Sequence, residues 1–218
     1  MPMKIKLIIF DLDGTLVNSS IDIMNALNYS IGPYGFEQLT LERTLSLVGE
    51  GVTRLIEKLV GRESADLHEV VLKRFLQYYS EHLTDYSVPY PGVRETLETL
   101  KKYRKAVLSN KREGLSKRLL EKLGLADYFD IIWGSDSVSE KKPSPVPVLE
   151  MLKKVSCRPA EAVIVGDSNY DIEAGRAAGV RTVAVSYGFR NAELLKDADF
   201  IIDSMNELTS KLDIINAR

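Results

Sequence analysis

The chain has 218 residues, 44% of them hydrophobic and 28% charged, with a formal net charge of −2 at pH 7, so it can bury a full core and hold one domain plus a substantial insertion. It has no basic excess to draw nucleic acid, and its single cysteine, Cys157, excludes an intrachain disulfide and fits a reducing compartment. The apolar run near the N-terminus is too short for a signal peptide and no stretch reaches membrane-spanning length, so a cytoplasmic protein without a membrane partner is expected.

Leu7, Ile8, Ile9 and Phe10 form a short, continuous apolar run that reads as a buried strand. It meets Asp11 at once, and on an extended segment Asp11 and Asp13 point into the same small space. Two like charges persist there only with a cation between them or with one carboxyl protonated, and both conditions suit phosphoryl transfer. Gly14 then allows the chain to turn away.

Helical periodicity follows. Ser19 or Ser20 is expected to cap a helix running to about residue 31, where Gly32 and Pro33 end it. Thr40 can cap a second helix, and Val52, Leu55, Ile56, Leu59 and Val60 give a third its apolar stripe, closed by Gly61. Ser64 can cap a fourth, with Leu67, Val71, Phe75 and Tyr79 on one face, read as core. His68 and His82 fall in this segment and are read as surface or satisfied helix histidines.

From residue 89 the chain alternates. Helices are expected over residues 93–103, 113–123, 145–155 and 171–178, and strands over residues 105–109, 129–133, 162–166, 182–185 and 200–203, with a terminal helix. The expected fold is α/β, a three-layer Rossmann-like parallel sheet core with an all-helical cap inserted after the first strand. Residues 1–16 and 85–218 would form the core and residues 17–84 the cap.

Three later strands also end in polar groups, as a site built along one sheet edge requires. Ser109, Asn110 and Lys111 follow the second core strand, with hydroxyl and backbone N–H groups able to hold phosphoryl oxygens; taken alone they are equally a polar turn. Lys142 precedes Pro143, which restricts where its side chain emerges, while Lys141 reads as a solvated loop lysine. Asp167 ends another apolar run and Asp171 follows at i+4. An Mg²⁺ site needs few protein carboxylates, and Asp11 and Asp167 meet that need.

The set Asp11-x-Asp13-Gly14-Thr15, Ser109, Lys142-Pro143 and Gly166-Asp167-x-x-x-Asp171, in this order and over nearly the whole chain, resembles the four motifs of the haloacid dehalogenase superfamily. Retention of Asp13 resembles its phosphatase and phosphomutase branches. The helical insertion, the loop Val48-Gly49-Glu50-Gly51 and the pair Tyr187-Gly188 are similar to those of the phosphoglycolate phosphatases, with Asn18 a departure where that group often carries Asp.

The resemblance implies a small phosphorylated metabolite as substrate and a phosphoaspartyl intermediate on Asp11. Asp13 would be general acid and base, and Mg²⁺ would be held by Asp11, Asp167 and the Asp13 carbonyl, with Asp171 one step behind. Ser109 and Lys142 would lie on the phosphoryl oxygens, and Asn110, Lys111, Gly49, Glu50 and Gly51 at the rest of the substrate. 2-Phosphoglycolate is the expected substrate. Pyrophosphate, a sugar phosphate, a sugar phosphomutase reaction and a non-catalytic binding module are the alternatives, and the sequence leaves monomer and homodimer open.

Overall fold

A computed structural model describes residues 4–61 and 65–217. Its first strand, β1 (Leu7–Phe10), has no residue more than 1% exposed. Leu7 and Ile9 pack into one apolar cluster and Ile8 and Phe10 into another, the alternation that a strand covered on both faces requires. Each such side chain contributes roughly 1.5–3 kcal/mol by burial.

After Asp13 the chain passes through a two-residue strand, β2 (Val17–Asn18), into four helices, α1 (Ser20–Ile31), α2 (Leu41–Leu47), α3 (Val52–Val60) and α4 (Ala65–Glu81), and returns through β3 (Val88–Pro89). α4 packs against both α1 and α3. Ile23, Ala26, Leu27 and Ile31 of α1 and Val71, Phe75 and Tyr79 of α4 are buried at helical spacing. Thr40 caps α2 by accepting from Arg43 N at 3.2 Å. Ser64, expected to cap α4, lies outside the described residues. Ser19 occupies the N-cap position of α1 without making a cap bond, its backbone (φ −104°, ψ 9°) lying outside the extended conformation of a cap, and its hydroxyl donates to Asp13 Oδ1 at 2.5 Å.

β2 and β3 pair antiparallel, Val17 opposite Pro89 and Asn18 opposite Val88. Two residues are too few to print a pattern in a sequence, and this ribbon was not expected. It joins the two chain crossings between the helices and the sheet. Buried Asp22 reinforces it by accepting from the backbone N–H groups of Tyr86 and Ser87 and from the Ser87 hydroxyl.

The remainder alternates as α5 (Val93–Thr99), β4 (Arg104–Leu108), α6 (Glu113–Lys122), β5 (Ile131–Trp133), α7 (Val146–Lys154), β6 (Ala162–Gly166), α8 (Asn169–Ala178), β7 (Arg181–Val185), β8 (Phe200–Ile202) and α9 (Leu208–Ala217). α5 stops four residues earlier than its expected end at 103. The buried Lys105 ammonium donates to the carbonyls of Leu100 and Tyr103, satisfying the helix end and letting β4 begin.

Six strands form one parallel sheet in the order β5-β4-β1-β6-β7-β8. Apolar residues of α7 and α8 cover one face and those of α5, α6 and α9 the other, giving three layers. Strand order reverses at β1, between β4 and β6, and a parallel sheet opens a crevice at such a reversal, beyond the carboxyl ends of its strands. No helix among the described residues is long and apolar enough to cross a membrane.

Candidate active site

Asp11 leaves the carboxyl end of β1, Ser109 that of β4 and Asp167 that of β6, so the three neighbouring strands deliver their polar ends to one crevice. Asp11, Asp13, Ser109, Asn110, Lys111, Lys142 and Asp167 all line a single cavity of about 80 Å³ there. Gly14 turns with φ +87°, and a Cβ at that position would collide with the Asp167 carboxylate; side-chain absence there lets two loops meet. Gly166 likewise leaves no room for a Cβ against Asp171.

One end of the cavity is built around Lys142, whose side chain is 3% exposed. Its Nζ donates to Asp11 Oδ1 at 2.8 Å, Asp171 Oδ1 at 2.5 Å and the Leu108 carbonyl at 2.6 Å. Burial alone would lower the lysine, but the carboxylates of Asp11 and Asp171 outweigh it and hold the ammonium above its ordinary value. The other oxygen of Asp171 accepts from the backbone N–H and hydroxyl of Ser168, so Asp171 is fully engaged. Asp167 Oδ2 accepts from Phe189 N at 2.7 Å. Among the described residues no donor is bonded to Asp11 Oδ2 or Asp167 Oδ1.

Burial, and then the neighbouring Asp171 and Asp13 charges, push the Asp11 carboxyl up to about 6 against the pull of Lys142. Burial, and then Asp11 and Asp171, likewise hold Asp167 well above the usual carboxylate range. Oxygen atoms of Asp11, Asp167 and Asp171 lie within 4.8 Å of one another. Hard oxygen donors, two of them without a hydrogen-bond donor and both resisting ionisation, fit a divalent cation, whose charge would reverse both shifts.

The other end is built around Lys111, whose side chain is 6% exposed and is not the solvated loop lysine that a polar turn would give. Its Nζ donates to both oxygens of Asp13 at 2.7 Å and to the Tyr79 hydroxyl at 2.8 Å. Tyr79 comes from α4, which also supplies Phe75 to the cavity wall, while Ile23, Val52 and Leu55 of α1 and α3 complete an apolar roof. Tyr79 was read as a core residue, and it is 1% exposed; its position on an apolar stripe hid the polar tip.

The loop of residues 48–51 is held by three sheet-edge loops and the first turn of α8. Asn110 Nδ2 donates to the Gly49 carbonyl at 2.8 Å, Lys141 Nζ to the Glu50 carbonyl at 2.8 Å, and Tyr170 Oη to Glu50 Oε1 at 2.9 Å. Arg190 donates to the carbonyls of Leu45 and Val48. Lys141 is thus bonded, correcting the reading of it as solvated. Gly49 and Gly51 border the cavity, whereas the Glu50 carboxylate is turned to Lys58 and Tyr170 and does not line it. Asn110 also donates to the Lys142 carbonyl at 2.9 Å, bridging the cap loop and the lysine loop. Neither Tyr170 nor Arg190 belongs to a motif, and only the folded contacts reveal them. His68 and His82 bond to the Gly61 carbonyl and to Asp85, away from the cavity.

The sequence matches the model of the family "haloacid dehalogenase-like hydrolase" over residues 8–185. It is 39% identical over 212 residues to a phosphoglycolate phosphatase of Aquifex aeolicus (strain VF5), covering 95% of this chain and 97% of that one. It is 41% identical over 211 residues to a phosphoglycolate phosphatase of Chromobacterium violaceum, covering 94% and 95%. A crystal structure of a predicted phosphoglycolate phosphatase from Haemophilus somnus 129PT is similar at a TM-score of 0.90 and 31% identity, over 95% of this chain and 97% of that one.

Proposed function

The chain belongs to the haloacid dehalogenase-like hydrolases, and from that premise we propose that this enzyme is an Mg²⁺-dependent phosphomonoesterase. It acts through a phosphoaspartyl intermediate on Asp11, with 2-phosphoglycolate as substrate and glycolate and phosphate as products. The observation that carries the reading is the state of Asp11: one oxygen is pinned by Lys142 at 2.8 Å, the other takes no donor, and Asp13 lies in the same cavity.

Asp11 and Asp167 would hold the metal with the Asp13 carbonyl, and bound there the ion would neutralise buried charge and polarise the phosphoryl group. Asp171 would act behind it by fixing Lys142. Asp11 attacks phosphorus, an oxygen–phosphorus bond forms, and the bond to the leaving alkoxide breaks. Asp13 gives the departing oxygen its proton, then takes a proton from the water that attacks the phosphoaspartate, releasing phosphate and restoring Asp11. Ser109 would bind a phosphoryl oxygen, and Lys142 would bind another by exchanging one of its three present acceptors, Asp11, Asp171 and the Leu108 carbonyl, for it. Closure of residues 17–84 over a core of residues 1–16 and 85–218 keeps bulk water out.

The names of the relatives support phosphoglycolate, and so does a lysine at the end of the cavity where a leaving-group carboxylate would lie. Pyrophosphate is the second reading, because its leaving phosphate would meet the same lysine. A mutase would need cations for a second phosphate in the roof, which is apolar at Ile23, Val52, Leu55 and Phe75. The test is kcat/KM for 2-phosphoglycolate, pyrophosphate and several sugar phosphates. Phosphoglycolate is expected to lead by at least about tenfold, and a lead for pyrophosphate would reverse the assignment.

A further inference from the structure

The Lys111 ammonium spends all three of its donors inside the cavity, two on Asp13 and one on Tyr79. Asp13 Oδ1 accepts a further bond from Ser19. Both Asp13 oxygens therefore already accept from a donor, and Lys111 competes with a leaving oxygen for them while it stays where it is. Lys111 cannot leave for nothing: a buried ammonium without an anion is strongly unfavourable, so it must exchange one anion for another. The cavity borders it, and an anionic substrate entering there would bring a second anion.

We propose that Lys111 is a gate with two stations, resting on Asp13 in the empty site and moving to an anionic leaving group in the loaded site, with the Tyr79 hydroxyl as the pivot it keeps in both. The proposal rests on the reading of Asp13 as proton donor, and it deepens that reading by making the leaving group's own charge the signal that uncovers Asp13. Tyr79 suits the pivot. Its ring lies 4.8 Å from Lys111 Nζ, and its side chain is 1% exposed on the buried stripe of α4 beside Val71 and Phe75, so packing holds the ring while the ammonium moves. Tyr79 is a positioning residue, since it acts on the substrate through Lys111. A substrate with a neutral alkyl leaving group leaves Lys111 on Asp13 and turns over slowly, which excludes it by an unmade exchange rather than by size.

The test compares wild type, Lys111→Met and Tyr79→Phe on 2-phosphoglycolate, pyrophosphate and ethyl phosphate, the last being nearly the size of phosphoglycolate without its carboxylate. Lys111→Met should lose about 100-fold in kcat/KM on phosphoglycolate and gain about three- to tenfold on ethyl phosphate, a crossing that a merely structural ion pair cannot give. Tyr79→Phe keeps the ring and should raise KM for phosphoglycolate about three- to tenfold, with the smaller part of the change in kcat. Equal losses by Lys111→Met on anionic and neutral leaving groups would overturn the gate. If that variant does not fold, Tyr79→Phe decides alone, and a fall in kcat shared by all three substrates would overturn it. Should wild type prefer pyrophosphate, the phosphoglycolate reading fails on its own. The gate then stands if Lys111→Met loses pyrophosphate and gains ethyl phosphate, and falls if it does not.

Discussion

Two buried lysines, one at each end of the same cavity, show how differently the two ends are made. Lys142 joins Asp11 and Asp171, the first two from loops at the carboxyl edge of the sheet and the third from the first turn of α8, just beyond β6. Lys111 joins Asp13 from the same edge to Tyr79 from α4, so its environment exists only while the helices sit over the sheet. The first arrangement is complete within one rigid layer and suits a step common to every phosphomonoester. The second is completed across a seam, and a group completed there can respond to what enters the seam. On the proposed reading, chemistry and choice are thus separated by which part of the fold supplies the last contact.

The most damaging change should fall on the first end. Asp11→Asn removes the attacking oxygen while keeping shape, and it should lower turnover by roughly 10⁴-fold or more with no phosphoryl group trapped on the acid-quenched protein. Asp13→Asn keeps the Asp11 end intact, so its loss should depend on the leaving group, large for an alkyl phosphate and small for p-nitrophenyl phosphate, whose phenolate departs without a proton. Equal losses on the two substrates would erase the distinction between the ends.

The same end should carry the pH dependence. Asp11 lies near 6 in the folded, metal-free protein against an ordinary 3.8, so between those values the folded state binds more protons than the unfolded chain. Stability from this group is then fully present below about 4 and lost as pH rises through about 6, on the order of 3 kcal/mol, with Asp167 acting in the same direction. A divalent cation needs both carboxyls ionised. Added Mg²⁺ should therefore raise Tm by several degrees at pH 7.5 and by much less at pH 5, and excess chelator should abolish turnover. A cation effect on Tm equal at both pH values would remove Asp11 and Asp167 from the metal site.

The contrast between the ends also accounts for what was legible in the sequence. Asp11, Asp167 and Ser109 each terminate a short apolar run, so the strand pattern that locates β1, β4 and β6 also locates the residues just beyond them. Fold class and sheet edge followed from the same runs. Tyr79 sits at i+4 from Phe75 and i+8 from Val71, an apolar stripe that gives no sign of a hydroxyl aimed at a lysine thirty-two residues away. Lys111 could be named from its place after Ser109, but its burial depended on a helix packed from another part of the chain. Ser19 was legible as a cap position and is instead a partner of Asp13, because its backbone is not in the extended conformation that aims a cap oxygen at the helix N–H groups.

The smallest expected effect sharpens the comparison most, because Arg190 lines the cavity yet gives its bonds to the loop above it. Arg190 reaches from the segment after β7 to the carbonyls of Leu45 and Val48, groups at the end of α2 that have no partner within the helix. Its guanidinium also lies 5.9 Å from the Tyr170 ring, whose hydroxyl holds Glu50. These bonds hold the loop of residues 48–51 on the sheet edge and contribute on the order of 1–3 kcal/mol when a charged donor is involved. Arg190→Ala should therefore lower kcat/KM by about tenfold, mostly through KM, with Tyr170→Phe milder. The factor should be the same for phosphoglycolate, ethyl phosphate and p-nitrophenyl phosphate, since what weakens is the closed loop and not a contact to any leaving group. Amide hydrogen exchange in residues 48–51 should rise in step. A loss confined to carboxylate substrates would mean that Arg190 reads the leaving group itself, and the division between a closing seam and a selecting lysine would have to be redrawn.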